Sequence, residues 1–381
     1  MGSMSVRVGS AAAAALVIVA AFVILRPWIE PTAPTADAPA LLSDWLLRVA
    51  SEQVDGLDRP QGEFALNLPH DHAPHPDTRS ESWQLLAHLH DERGEPVGVQ
   101  LSVLRIGLTS PDAAHTETDW APRDLYRAHV VILDAGMDRA AGDERMGRGM
   151  TDVAGYDPIG RELRLDHWAL RFGGNGQQTP WHLRASAEGI TADLLLTPEK
   201  PPTSGAPDDA PFRGYAFSRL RVEGHLDSAH GRKAVSGVAW LDHLWGDLPI
   251  PGAAPVVSDV LQLHLDDGSE VSVVRSRRQD GRGTATVDAL RIAADGSVSV
   301  HGTDTAEVRL TRHWQGAIAA WPVDWSVRLG TLDLSVTPVV DDQELDFMAP
   351  VWSGLVRATG LQGDDPVSGL GTLQLTGYDT P

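Results

Sequence analysis

One carboxyl group set in an apolar stripe is the sharpest chemical feature of the sequence. In "VSGVAWLDHLWGD", residues 235–247, a period of two puts Val238, Trp240, Asp242 and Leu244 on one face and Ala239, Leu241, His243 and Trp245 on the other. If the first face lines a cavity, desolvation raises the pKa of Asp242 and keeps it protonated, a proton donor in an apolar pocket. Such an acid suits addition of water to an unactivated alkene: protonation creates a carbocation, aromatic faces stabilise it, and water captures it. That chemistry requires no metal and no organic cofactor. The plainer alternative is that Asp242 hydrogen-bonds the backbone of a neighbouring strand, and both readings stand on the residues alone.

A second cluster of chemistry-bearing residues is "LPHDHAPHPDTRSESWQLLAHLH", residues 68–90. His70, His72 and His75, with Asp71 and Asp77, are ligand types that zinc accepts. Two prolines interrupt them and no helical i, i+4 pair is present, so nothing local aims the imidazoles at one point. The segment therefore reads as an extended opening strand whose histidines and acids hydrogen-bond the backbone and each other. His88 and His90 share a strand face with Gln84 and Leu86, opposite Trp83, Leu85, Ala87 and Leu89, a pattern that fits core histidines with satisfied hydrogen bonds. There is no phosphate-binding glycine loop, no G-x-S-x-G elbow and no H-E-x-x-H helix.

The elements that must position these groups are strands. From residue 62 onward, short alternating runs separated by turn signals predict an antiparallel β protein. "LQLHLDDGSEVSVVR" reads as a hairpin about Asp267 and Gly268, and "ALRIAADGSVSVHG" as another about Asp295 and Gly296. Leu332, Leu334 and Val336 alternate with polar residues, as do Leu373 and Leu375. One soluble helix is expected, in "ALLSDWLLRVASEQVD", with Leu41, Leu42, Trp45, Leu46 and Val49 on one face. The Pro-, Gly- and Asp-rich stretch of residues 197–214 reads as a connection between two β domains, residues 40–205 with the leading helix and residues 206–381.

The chain of 381 residues is 42% hydrophobic, enough for a sizeable core. Its formal charge of −21 argues against nucleic acid as a partner, and the absence of cysteine excludes disulfides, thiolate metal sites and a cysteine nucleophile. Residues 8–25, "VGSAAAAALVIVAAFVIL", are uncharged and follow Arg7, which predicts a signal anchor and linker over residues 1–39. On that reading the body is exported and held to the cytoplasmic membrane in the cell envelope.

The motifs in this order resemble the lipocalin-like family that contains carotenoid 1,2-hydratases (hydroxyneurosporene synthases) and the AttH proteins encoded with ABC-type exporters. "LPHDHAPHPDTRSESWQ" is similar to its "FP-x-DHGAHPD-x-R-x-EWWY", "LYRAHVVILD" to "Y-x-AHFAL-x-D", "DERMGRGM" to "ERFSRG" and "LDHWAL" to "LDDWSL". "LLLTPEKPP", "GYAFSRLRVEGHL" and "VSGVAWLDHLWGD" continue the series, which spans about residues 64–379. The resemblance implies two lipocalin-like β-barrels packed side by side. It also implies that Asp242 is the acid, that Trp240 is the aromatic just before it, and that an upstream His-x-Trp pair falls at Tyr215 and Phe217. Trp83, Trp245 and Asp259 complete the implied substrate contacts, and no cofactor is implied. Two departures stand out: "EWWY" is "ESWQ", with Ser82 and Gln84 for aromatics, and "WDWF" is "SDVL", with Ser258 and Val260 for tryptophans. The function expected is an exported, membrane-anchored protein that binds an apolar lipid or isoprenoid beside an ABC-type permease. The alternative is a cofactor-independent hydro-lyase of the carotenoid 1,2-hydratase type.

Overall fold

A computed structural model describes residues 54–57, 60, 62, 64–111, 122–149, 153–174, 179–204, 210–248 and 256–378. The described chain is built from strands. Antiparallel neighbours run in the order β4 (Ala141–Arg148), β3 (Asp124–Asp134), β2 (Pro96–Gly107), β1 (Ser80–Asp91), β12 (Gly231–Gly246), β11 (Phe212–Ser228), β9 (Ile190–Pro198), β8 (Trp181–Ala187), β7 (Trp168–Arg171), β6 (Glu162–Leu165) and β5 (Ala154–Asp157). β10 (Thr203–Ser204) pairs with β11 off this path. The sheet rolls until β3 and β4 pack on β8, a nearly closed barrel that no strand pairing among the described residues completes.

A second sheet runs β16 (Val298–His301), β15 (Thr286–Ile292), β14 (Glu270–Arg278), β13 (Val256–Leu265), β22 (Asp365–Thr376), β21 (Val351–Gln362), β19 (Leu332–Pro338), β18 (Ala320–Leu329) and β17 (Ala306–Gln315), with β20 (Glu344–Leu345) on β21. It forms a half-barrel. Its two hairpins turn where the sequence places them: Gly268 and Gly296 have φ of +80° and +83°, and the side chains of Asp267 and Asp295 accept the backbone N–H two residues on.

Each sheet encloses its own apolar core. Leu85, Leu241 and Trp168 belong to the first, and Leu261, Trp325 and Val356 to the second. The sheets then pack on one another through the outer faces of β1, β2, β3 and β12 and of β13, β21 and β22. These strands are buried on both faces, which is why their sequences read as near-continuous apolar runs.

Two expectations change. Strands β11 and β12, on the C-terminal side of the boundary expected near residue 205, are central members of the first sheet, and the second sheet begins at Val256. The described parts of the Pro- and Gly-rich stretch, residues 197–214, include the end of β9, β10 and the start of β11, all in that same first sheet. The anchor helix of residues 8–25 and nearly all of the helix of residues 40–55 lie outside the described residues. Among the described residues no helix is long and apolar enough to cross a membrane, and the helical piece is a single 3-10 turn, His70–His72. An N-terminal membrane-anchor helix is accordingly not part of the fold described, and the membrane partner and membrane-anchored location that rested on it have no support in the described residues. The two-barrel, all-β arrangement stands without it.

Candidate functional site

β12 alternates as its sequence demands. Ala239, Leu241 and Trp245 enter the core of the first barrel, whereas Trp240 and Leu244 enter the seam between the sheets. Asp242 therefore points into the seam, where it is 5% exposed. Its carboxylate accepts two hydrogen bonds, from Trp240 Nε1 to Oδ1 at 2.8 Å and from Gln262 Nε2 of β13 to Oδ2 at 2.8 Å. Both donors are neutral, so they only partly offset the cost of removing a charge from water. Burial pushes the Asp242 carboxyl up to about 6 against the lowering effect of those two bonds.

Asp242 lines a cavity of about 230 Å³ in the seam, walled by Leu104, Leu244, Val260 and Phe347. Polar groups cross its floor in one row. Asp242 pairs in register with Gln84, Gln84 with Ser102, and Ser102 with His129, four adjacent strands spanning about 14 Å at roughly 4.8 Å per strand. Gln84 Nε2 donates to Gln374 Oε1 of the second sheet at 2.7 Å. At the far end, burial and the neighbouring Arg127 push His129 down to about 3, so it is neutral, and its Nε2 is buried without a hydrogen-bond partner. Arg127, also on the wall, is paired with Glu144, its Nε 2.6 Å from Oε1. An acid that can be protonated near neutral pH thus sits at one end of an apolar slot, and a neutral imidazole sits at the other.

The sequence-derived residues divide between three places. Trp240 is beside Asp242, and Trp83 contributes to the cavity wall while its ring packs in the first-barrel core. Tyr215, Phe217 and Trp245 lie inside the first barrel, on the other face of the sheet. The cause is register: Tyr215 pairs with His243 and Phe217 with Leu241, and the residue opposite Asp242 is Ala216. Asp259 lies in β13, buried, where Arg275 Nη1 and the Tyr378 hydroxyl donate to it at 2.7 Å each. Gln262, His129 and Phe347 were not foreseen. They come from other strands, and only long-range register brings them to Asp242.

The seam also explains the departures from the family motifs. Ser82, Gln84, Ser258 and Val260, the four positions where small or polar residues replace aromatics, all line this cavity.

The sequence matches the AttH-like family over residues 59–378. The chain belongs to the AttH-like family. Among solved structures, a putative AttH from Nitrosomonas europaea aligns with this AttH-like chain at 27% identity and a TM-score of 0.72, over 85% of this chain and 100% of that one. Kievitone hydratase from Nectria haematococca aligns at 16% identity and 0.58, over 85% and 98%. CghA with Sch210972 aligns at 13% identity and 0.52, over 85% and 97%. The last two share the fold of this AttH-like protein at identities too low to carry more. No curated protein matches the sequence.

Proposed function

We propose that this AttH-like protein is a cofactor-independent hydro-lyase that adds water across a carbon–carbon double bond of an apolar, isoprenoid-type substrate held in the seam. The observation that carries this reading is Asp242: a buried carboxyl on a cavity wall, bonded to neutral donors, with burial holding it near 6. The fold shared with a protein named as a hydratase supports it. In the forward direction the Asp242 carboxyl O–H gives its proton to one alkene carbon, and the cation forms on the other. Phe347 supplies an aromatic side chain on the cavity wall that can stabilise positive charge there. The Trp240 indole N–H and the Gln262 amide meanwhile hold the carboxylate that is left. Water bonds to the cation and returns a proton to Asp242, so the net change is one water added and the acid restored.

A cavity of about 230 Å³ is smaller than the roughly 300–1,000 Å³ that swallows a whole drug-sized ligand. It suits the unsaturated end of a longer molecule. The test is incubation of the purified protein with acyclic carotenoids and shorter terpenoid alkenes in ¹⁸O-water, wild type beside Asp242→Asn. The expected result is a labelled alcohol from wild type and a loss of about 10²–10⁴-fold in the variant, the range for removal of a general acid. Equal rates would remove Asp242 from the chemistry.

A second reading is favoured by the four small or polar residues on the cavity wall: a carrier that holds an apolar ligand without transforming it, and as its finer form an accessory of an ABC-type exporter. Organic extraction of the purified protein followed by mass spectrometry separates the two. An unaltered ligand released alike from wild type and Asp242→Asn favours the carrier.

A further inference from the structure

The histidine window finds its partners on the opposite side of the sheet from Asp242. His75, Glu81 at the start of β1 and His243 of β12 converge inside the first barrel, and one ligand atom from each lies within 4.8 Å of the others. His75 Nδ1 and His243 Nε2 are 2.8 Å and 2.7 Å from the same Glu81 oxygen, Oε1. We propose that these three residues form a site for a divalent transition-metal ion of the zinc class, which ties the segment of residues 70–78 to strands β1 and β12.

Four features carry the assignment. The first is the ligand set, two imidazoles and a carboxylate, which zinc takes with a fourth position left for water. The second is rigidity. His75 lies flat on Trp245, with ring centroids 3.8 Å apart and planes 4° apart, and His243 stacks on Trp83 at 4.5 Å and 23°. Both rings are therefore aimed before an ion arrives.

The third is that two of the three ligands already have an outer hydrogen-bond partner and the other faces a carboxylate. With Nδ1 on the ion, His75 carries its proton on Nε2, which lies 3.9 Å from the Asp71 carboxylate. With Nε2 on the ion, His243 carries its proton on Nδ1, 3.2 Å from the Tyr215 oxygen, and Tyr215 in turn donates to His72 Nδ1 at 2.6 Å. Glu81 keeps its second oxygen on Arg105 Nη1 at 3.2 Å and on the His75 backbone N–H at 2.8 Å, so Oε1 is the atom left for the metal. The fourth is access. The Glu81 and His243 side chains are fully buried, but His75 is 17% exposed and provides the way in. Metal–ligand bonds of about 2.0–2.2 Å require the present contacts to open by about half an ångström. The imidazole protons that now point at Glu81 move to the outer nitrogens.

The test uses the full chain stripped with chelator and then loaded with zinc or cobalt(II), beside His75→Phe, which keeps a ring on Trp245, and Asp242→Asn as a control outside the site. The expected result is one zinc per chain retained through desalting in wild type and control, with a raised melting temperature. Zinc affinity should fall at least 100-fold in His75→Phe. Wild-type retention no greater than that of His75→Phe, with both proteins giving the same near-ultraviolet circular dichroism, overturns the proposal. Should the variant not fold, wild type alone decides. Intense visible bands of four-coordinate cobalt support the site, and a weak six-coordinate spectrum or none overturns it.

Discussion

At the scale of single residues the seam is governed by the cost of burying charge. The Asp242 carboxyl is raised from 3.8 to about 6, so the folded state takes up a proton between those values. The favourable contribution of that proton is fully present below pH ~3.8 and is lost as pH rises through ~6. Above that the buried carboxylate costs about 3 kcal/mol relative to an unshifted aspartate. Asp242→Asn is therefore predicted to stabilise the protein at pH 8 by up to this amount, less the cost of turning the Gln262 amide, and to have little or no stabilising effect at pH 4. Urea midpoints at the two pH values check this, and a difference between the proteins that does not change with pH would show that Asp242 does not titrate as described. The same group sets the activity profile. Turnover that needs the protonated acid should fall about tenfold per pH unit above ~6.

At the scale of elements, the alternation of β12 was legible because a period of two depends only on neighbouring residues. The faces assigned to Trp240, Asp242 and Leu244 and to Leu241, His243 and Trp245 are the faces they occupy. What lies across from a strand is a different kind of information. Tyr215 and Phe217 are one residue out of phase with Asp242, and a one-residue offset moves a side chain to the other face of the sheet. The Gln262 donor comes from the other sheet and the Glu81 partner of His243 from the next strand, so no local spacing announces either. The turn signals around Asp267-Gly268 and Asp295-Gly296 are local, and those hairpins formed where expected. The proline-rich stretch before residue 212 is equally local, but a loop between adjacent strands and a linker between domains have the same composition. Family motifs supplied what periodicity lacked, since the four departures from them mark the cavity wall. Val260→Trp on β13 should refill that wall. It is predicted to cost about 1–3 kcal/mol in overpacking and to abolish capture of an apolar ligand while the fold is kept. Ligand titration alongside near-ultraviolet circular dichroism tests it, and undiminished binding would place the ligand elsewhere.

At the scale of the whole molecule, the two sheets are joined by buried polar bridges as well as apolar contacts. Gln100 meets Ser353 at 2.6 Å, Gln84 meets Gln374 at 2.7 Å, and His88 Nδ1 meets His264 Nδ1 at 2.7 Å. The last bridge has one workable proton arrangement. His264 Nε2–H donates to the Ser218 carbonyl at 2.7 Å, so its Nδ1 must accept from His88 Nδ1–H, and His88 Nε2 accepts from the Thr372 hydroxyl at 2.9 Å. Burial holds both imidazoles neutral, His88 down to about 3 and His264 well below its usual value. A histidine whose folded pKa is depressed contributes stability that is complete above ~6.5 and is lost as pH falls toward the folded value. The seam therefore loosens with acid at the two histidines and tightens with acid at the single Asp242, so the docking of the sheets should strengthen as pH rises to about 6.5 and then level off. Between pH 6 and 4 the histidine pair contributes a slope of up to about 2.7 kcal/mol per pH unit, the limit for two protons. Replacing both rings, His88→Leu with His264→Leu, lowers stability at pH 7 by stranding the Ser218 carbonyl, but it should also flatten that slope. Urea midpoints across pH 7 to 4 read the slope directly, and an acid slope as steep in the double variant as in wild type would mean that the pair does not titrate on unfolding.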